Sequence, residues 1–207
     1  MARLITAVLV WAVAVVLALG VGGLLTAAQQ QESLIFAVPP VPLRIVLKGS
    51  DPELCLTVGP YHNIVLRPRD DTDENQKWES DFASYGSLKG DDNCRKPFAL
   101  VNRFYAPTSS PFTGPDFEGW VLLISSLQNN IQQVKLAPYS KTCQPVSTLW
   151  TEDPASDRSW YQIRALKDPG LALYGPGYQD SEVGVSYAAR DNANTQWVVQ
   201  PFYRPYR

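Results

Sequence analysis

The chain has 207 residues, with 18 basic and 20 acidic side chains and a formal net charge of -2 at pH 7. Nucleic-acid binding needs a basic face for the phosphates, so this balance argues against a nucleic-acid partner. Aromatic residues make up 11% of the sequence, and most of them are expected in the core and in cross-strand pairs of a β-protein.

The N-terminal segment is the longest apolar stretch of the chain: residues 4–28 carry no charge. The length of this segment exceeds the ~20 residues that a helix needs to cross ~30 Å of hydrocarbon. It also exceeds the usual length of the apolar region of a secretory signal. We therefore expect residues 1–28 to be a transmembrane helix, with a cleaved signal peptide and a secreted domain as the alternative. Arg3 is the one basic residue nearby, which predicts a lumenal or extracellular domain.

Residues 29–42 form a predicted stalk, because the PPVP run at 39–42 cannot join a central strand and favours an extended chain. The folded domain is expected at residues 43–203. In it, three similar units of strand and turn end in tryptophan, as NQKW at 75–78, TLW at 148–150 and NTQW at 194–197. A unit that recurs about every 50 residues cannot bury its own apolar face, so the copies share one core.

Each unit contains four predicted strands, separated by turns rich in glycine, proline and aspartate. The closing strands are expected at 76–80, 149–150 and 195–200. Residues 106–119 interrupt the second unit with a proline-rich surface loop. Four strands in each of three units predict an all-β chain with a β-trefoil fold.

Residues suited to catalysis or metal binding are few and scattered. Cys55 lies within an apolar strand and is expected to be buried, whereas a bridge between Cys94 and Cys143 stays open. His62 is the only histidine and lies in a predicted turn. The residues offer neither a zinc site nor a nucleophile–base pair, so we expect no metal, no cofactor and no enzymatic activity.

Four acids, Asp70, Asp71, Asp73 and Glu74, cluster in one predicted turn. Glycoside hydrolysis needs two carboxyl groups that face each other across a sugar, whereas acids in one turn point into water. We interpret the cluster as a solvated turn, and calcium binding is a weaker alternative because the spacing fits no known loop.

The closing tryptophans resemble those of the ricin-B-type β-trefoil lectins, in which Gln-x-Trp ends the repeats. Four segments are similar to the Euonymus-type lectin family of plants: DENQKW at 73–78, FALVN at 98–102, VKLAPY at 134–139 and LWTE at 149–152. The resemblance covers about residues 43–202 and implies a β-trefoil that binds glycans through one pocket in the last repeat. The apolar N-terminal segment departs from that family, which is mostly cytosolic and nuclear.

The implied pocket has an Asp at the end of the second strand, a Trp on the third, and Asn-Gln before the closing Trp. In repeat three, Asn194 matches the Asn and Tyr187 takes the aromatic position. Tyr174 stands at the Asp position, Thr195 at the Gln position, and Asp180 is a possible replacement carboxylate. An aromatic face packs on the C–H face of a sugar while carboxylate and amide groups bind its hydroxyls.

Repeat one keeps Asn75 and Gln76 but has Thr57 at the Asp position and Arg67 at the aromatic position. The resemblance therefore implies a partly eroded pocket and a glycan partner. A structural role for Tyr187 in a strand and for Asn194 in a turn is an equal alternative. In that case the chain is a trefoil without sugar binding that acts as a protein-interaction domain.

Overall fold

The computed structural model describes residues 41–85, 88, 95–105, 117–128, 131–141, 145–187 and 189–202. Residues 1–40 lie outside these ranges, and so do the predicted membrane helix, Cys94, Cys143 and most of the proline-rich loop. The described residues form strands and short 3₁₀ helices and contain no α-helix. None of the helices found within them is long and apolar enough to cross a membrane.

Within the described ranges, twelve strands occur in three sets of four, as the sequence predicts. Repeat one contains β1 (Leu43–Leu47), β2 (Leu54–Val58), β3 (Ile64–Pro68) and β4 (Glu79–Asp81). Repeat two contains β5 (Phe98–Asn102), β6 (Trp120–Gln128), β7 (Ile131–Pro138) and β8 (Leu149–Pro154). Repeat three contains β9 (Tyr161–Ala165), β10 (Leu171–Tyr174), β11 (Gly184–Tyr187) and β12 (Trp197–Pro201).

The first and fourth strands of the three repeats form a closed ring of six antiparallel strands. Strands of successive repeats pair as β4 with β5, β8 with β9 and β12 with β1. Within repeats, β5 pairs with β8 and β9 with β12, and the bridge between Leu43 and Trp78 joins β1 to the start of β4. This closure leaves no free edge in the ring.

The second and third strands of each repeat form hairpins, β2–β3, β6–β7 and β10–β11. The hairpins contact one another through the pairing of β11 with β7 and through bridges from Asn63 to Lys135 and from Val65 to Glu182. A six-stranded ring with three hairpins in threefold arrangement is the β-trefoil, which confirms the predicted fold.

Trp78, Trp150 and Trp197 are fully buried, with 0% exposed surface, in one core that all three repeats share. The indole Nε1 of each donates a hydrogen bond to a backbone carbonyl in the second strand of its own repeat. The acceptors are the carbonyls of Leu56 at 2.9 Å, Leu122 at 3.2 Å and Leu173 at 3.0 Å. The tryptophans therefore act as equivalent anchors of the scaffold rather than as contacts for a ligand.

The closing strands of repeats one and three, β4 and β12, begin later than the sequence predicts. The 3₁₀ helices Glu74–Gln76 and Ala193–Thr195 precede them. Asp73 and Asn192 cap these helices, because their side chains accept hydrogen bonds at 2.9 and 3.0 Å from backbone N–H groups two residues later. Local capping thus overrides the alternating pattern in the last residues before each tryptophan.

Candidate functional site

Tyr187 lies at the end of β11 and is 70% exposed, so its ring is available to a ligand. Its hydroxyl donates a hydrogen bond of 2.5 Å to Asp168 Oδ2, and this carboxylate raises the pKa of the Tyr187 hydroxyl above its ordinary value. Gly170 leaves room for the ring, since a Cβ there would lie 3.0 Å from Tyr187 Cε1. An exposed ring is therefore held in place beside a carboxylate.

Tyr174 and Asn194 form a second pair, at the other end of β10. Asn194 Nδ2 donates to the Tyr174 hydroxyl at 3.4 Å, and the backbone carbonyl of Asn194 accepts from Gly175 N at 2.9 Å. The hydroxyl of Tyr174 thus contacts the amide at the position where the resemblance implies a carboxylate. Both side chains are half-buried, and Asn194 N also takes part in the cap described above.

Asp180 lies against repeat one rather than beside Tyr187. Its backbone N–H donates to Leu66 O at 2.7 Å, and its carboxylate forms an ion pair of 3.1 Å with Arg67. Arg67 stands at the aromatic position that the resemblance implies for repeat one, so the ion pair joins that position to the candidate replacement carboxylate of repeat three. Thr57, at the carboxylate position of repeat one, is fully buried and donates to the backbone carbonyl of Cys55 at 2.9 Å.

The structure does not bring all four predicted site residues into one pocket. Tyr187 pairs with Leu171 at the start of β10, while Tyr174 pairs with Gly184 at its end. Three positions along a strand span about 10 Å and place side chains on opposite faces. The arrangement consists of three separate pairs: Tyr187 with Asp168, Tyr174 with Asn194, and Asp180 with Arg67.

Asp168 is a neighbour of the predicted site that sequence reasoning missed. It begins the DPG turn between β9 and β10, and its Oδ1 accepts from Gly170 N at 3.1 Å. Such a turn is visible in the sequence as an Asp-Pro-Gly signal. The signal does not reveal the contact with Tyr187, because that contact depends on the register of β10 against β11.

The acidic turn is tied to the fold by ion pairs. Arg44 is 1% exposed, and its Nη1 forms an ion pair of 2.8 Å with Asp71. Lys77 forms another, of 2.9 Å, with Glu74. The acids are thus solvent-accessible, as expected of a solvated turn, and in addition Asp71 offsets the desolvation of a buried guanidinium.

Gln76 and Cys55 have the structural roles that the sequence predicts. Gln76 is 1% exposed, accepts from Asp70 N at 3.0 Å and donates to Pro68 O at 2.9 Å. Cys55 is a free, fully buried cysteine. Within the ranges that the structure describes, no three His, Cys, Asp or Glu side chains are grouped so that they could hold a metal ion.

Comparison with known proteins supports the resemblance. The chain is 26% identical over 176 residues to the ricin B-like lectin R40G3 of rice (Oryza sativa subsp. japonica), over 80% of this chain and 76% of the relative. It is 29% identical over 147 residues to the rice ricin B-like lectin R40C1, over 68% of this chain but 38% of that relative, so it spans well under half the length of R40C1. No protein-family model matches the chain.

Among solved structures, the fold is similar to that of the ricin B-like lectin of Macrolepiota procera in complex with lactose. The TM-score is 0.51 at 13% identity, over 79% of this chain and 98% of that lectin. The narrower resemblance to Euonymus-type lectins stays a prediction. These matches bear out the broader resemblance to ricin-B-type lectins: the chain is a β-trefoil protein whose relatives are ricin B-like lectins.

Proposed function

We propose that residues 43–203 form a carbohydrate-binding module and that repeat three contacts the sugar through the pair of Tyr187 and Asp168. The observation that carries the proposal is the 70% exposed ring with its hydroxyl 2.5 Å from a carboxylate. A sugar combines an apolar C–H face with hydroxyl groups, and this pair offers a ring for the first and an acceptor for the second. The relatives named as ricin B-like lectins support the same class of ligand.

Binding through this pair is expected to be weak. Asn194, the expected amide, contacts Tyr174 at the far end of β10, and Asp180 is paired with Arg67. Each sugar hydroxyl that is desolvated without a partner costs about 1–3 kcal/mol. Because Tyr187 and Tyr174 lie on opposite faces about 10 Å apart along β10, a sugar ring bound on Tyr187 does not reach the Asn194 amide.

The test is a glycan array with the full-length chain and matched variants. Tyr187→Ala should abolish glycan binding at this site while leaving the fold intact, since the ring that it removes is largely outside the core. Tyr178→Ala is the matched control, because Tyr178 is 65% exposed in the same repeat. Undiminished glycan affinity in Tyr187→Ala would rule this site out. Asn194→Ala separates the two pairs: it should leave binding at Tyr187 unchanged, because the Asn194 amide contacts Tyr174 instead.

A second candidate function is a trefoil without sugar binding that acts as a protein-interaction domain. The observation that favours it is the engagement of Asp180 with Arg67, together with Tyr174 at the carboxylate position. Absence of binding by the wild-type chain to any glycan on the array would support this candidate over the first.

We also propose that residues 4–28 hold the module at a membrane, with residues 43–203 on the lumenal or extracellular side. The support is the length of the uncharged apolar stretch and the position of Arg3 before it. Full-length protein should then remain in the membrane pellet after a carbonate wash. A soluble mature chain that starts near residue 28 or 29 would instead show a cleaved signal.

A further inference from the structure

A small cleft opens where the hairpins of the three repeats meet, and no function discussed above uses it. Its volume is about 210 Å³. Three buried aliphatic side chains, one from each repeat, line it: Ile64, Val134 and Val183. Polar groups from all three repeats complete the lining, so the cleft exists only in the assembled trefoil.

Tyr61 lies beside this cleft and is the most exposed large hydrophobic side chain that the structure describes, at 96%. It belongs to the turn between β2 and β3, and its backbone is left-handed, with φ +57°. His62 follows with φ +65°. Left-handed backbone is unfavourable for residues other than glycine, and such strain concentrates at functional sites.

The turn that presents Tyr61 is held firmly from behind. The His62 ring stacks on Trp120, with ring centroids 4.6 Å apart, and meets the edge of Tyr105 at 5.6 Å. Asn63 packs against Gly59, where a Cβ would lie 2.5 Å from Asn63 Oδ1, and Gly59 N donates to Asn63 O at 2.9 Å. With His62 turned inward, the backbone of the turn presents Tyr61 to solvent.

The polar groups of the cleft centre on Glu182. Its Oε1 accepts from Asn63 Nδ2 at 3.4 Å and its Oε2 from Gln133 Nε2 at 3.5 Å. Both bonds are long, so a ligand hydroxyl can compete for the carboxylate and for the amides. Lys135 adds an ammonium group to the same lining. The cleft thus offers acceptors and donors around an apolar floor.

We propose that this cleft is a second saccharide site, which takes one neutral sugar ring with Tyr61 as the aromatic contact and Glu182 as the principal hydroxyl acceptor. An exposed ring, an apolar floor and mixed donors and acceptors match the two faces of a pyranose. The volume suits a single ring rather than a drug-sized ligand. The ligand class rests on the carbohydrate-binding function proposed above, but the residues are independent of Tyr187 and Asp168.

The test is a titration of the full-length chain with simple methyl glycosides and N-acetylglucosamine, followed by two-dimensional amide NMR. Tyr61→Gly removes the ring and relieves the left-handed backbone, so it should not lower the melting temperature. Glu182→Gln removes the carboxylate at similar size. Each should weaken binding at the cleft about tenfold or more, whereas Tyr178→Ala should not change it.

The location of the shifts distinguishes this proposal from the one above. Sugar-dependent shifts at residues 133–135 and 182–183 that vanish in Tyr61→Gly but persist in Tyr187→Ala support the cleft. If the wild-type chain shows these shifts at the cleft but none at 168–170, the result supports the cleft and contradicts the Tyr187 site. Shifts confined to 168–170 and 187, unchanged in Tyr61→Gly, overturn the cleft and leave the first proposal standing. No shift with any of the sugars overturns the cleft as well.

Discussion

Replacement of Trp197 tests how much the threefold indole anchors contribute to stability. Trp197 has 0% exposed surface, and its ring reaches Gly175, where a Cβ would lie 3.1 Å from Trp197 Cη2. Trp197→Ala therefore opens a large cavity and leaves the carbonyl of Leu173 without its indole donor. Loss of a buried Trp ring costs about 3–5 kcal/mol, a large part of the ~5–15 kcal/mol of an ordinary domain.

Trp197→Phe divides this cost into packing and hydrogen bonding. It keeps most of the ring volume but removes the 3.0 Å bond to Leu173 O, which should cost about 1–3 kcal/mol for the unpaired carbonyl. Trp78→Phe and Trp150→Phe break the equivalent bonds of 2.9 and 3.2 Å and should fall in the same range. Similar losses in all three repeats are the signature of equivalent anchors.

Urea unfolding of the full-length chain, followed by circular dichroism, measures these differences from the midpoint and the slope. Tyr178→Ala is the control and should stay within about 0.5 kcal/mol of wild type, since it alters an exposed ring. A loss below about 0.5 kcal/mol in Trp197→Phe would refute the role given to the buried N–H. A Trp197→Ala protein as stable as the control would refute the role of the shared core.

Two further predictions concern buried titratable groups. Burial raises the pKa of the Cys55 thiol to about 12, so iodoacetamide at pH 8 should label Cys55 only after denaturation; rapid labelling of the native chain would contradict its burial. Burial also raises the pKa of the Glu152 carboxyl above its ordinary value of 4.5. The folded chain therefore binds this proton more tightly than the unfolded chain does, and its free energy of unfolding falls as the pH rises from 4.5 through the raised pKa. Glu152→Gln should remove this loss and raise the urea midpoint at pH 7, whereas parallel pH profiles for the two proteins would contradict it.

The sequence predicts the repeats well because their signals are local. Apolar runs separated by turns predict four strands in each unit, as observed, and the three tryptophans mark equivalent core positions. The sequence pattern predicts earlier starts for β4 and β12 than the structure has, because the caps at Asp73 and Asn192 compete with the strand pattern. Capping residues can be recognised in a sequence. The sequence does not show whether the cap or the alternating apolar pattern will determine the local structure.

The candidate site is less predictable because its contacts join distant segments. The positions of Tyr187 and Asn194 follow from the resemblance, but the partner of each depends on strand register. Asp180 pairs with Arg67 because the bridge between Val65 and Glu182 sets repeat three against repeat one. No pattern within a single repeat contains that information, since it arises only when the repeats assemble.

The pairing of β1 with β12 has a consequence for the way the chain matures during synthesis. Residues 43–47 find their main partner in residues 197–201, so the first strand of the domain pairs along its length with the last strand of the domain. The six-stranded ring therefore cannot close before β12 has been synthesised, and until then β1, with four of its five residues buried in the finished domain, lacks the main partner that covers it. Apolar segments that are exposed before their partners are made can aggregate. The nascent chain should therefore depend on chaperones until β12 has left the ribosome.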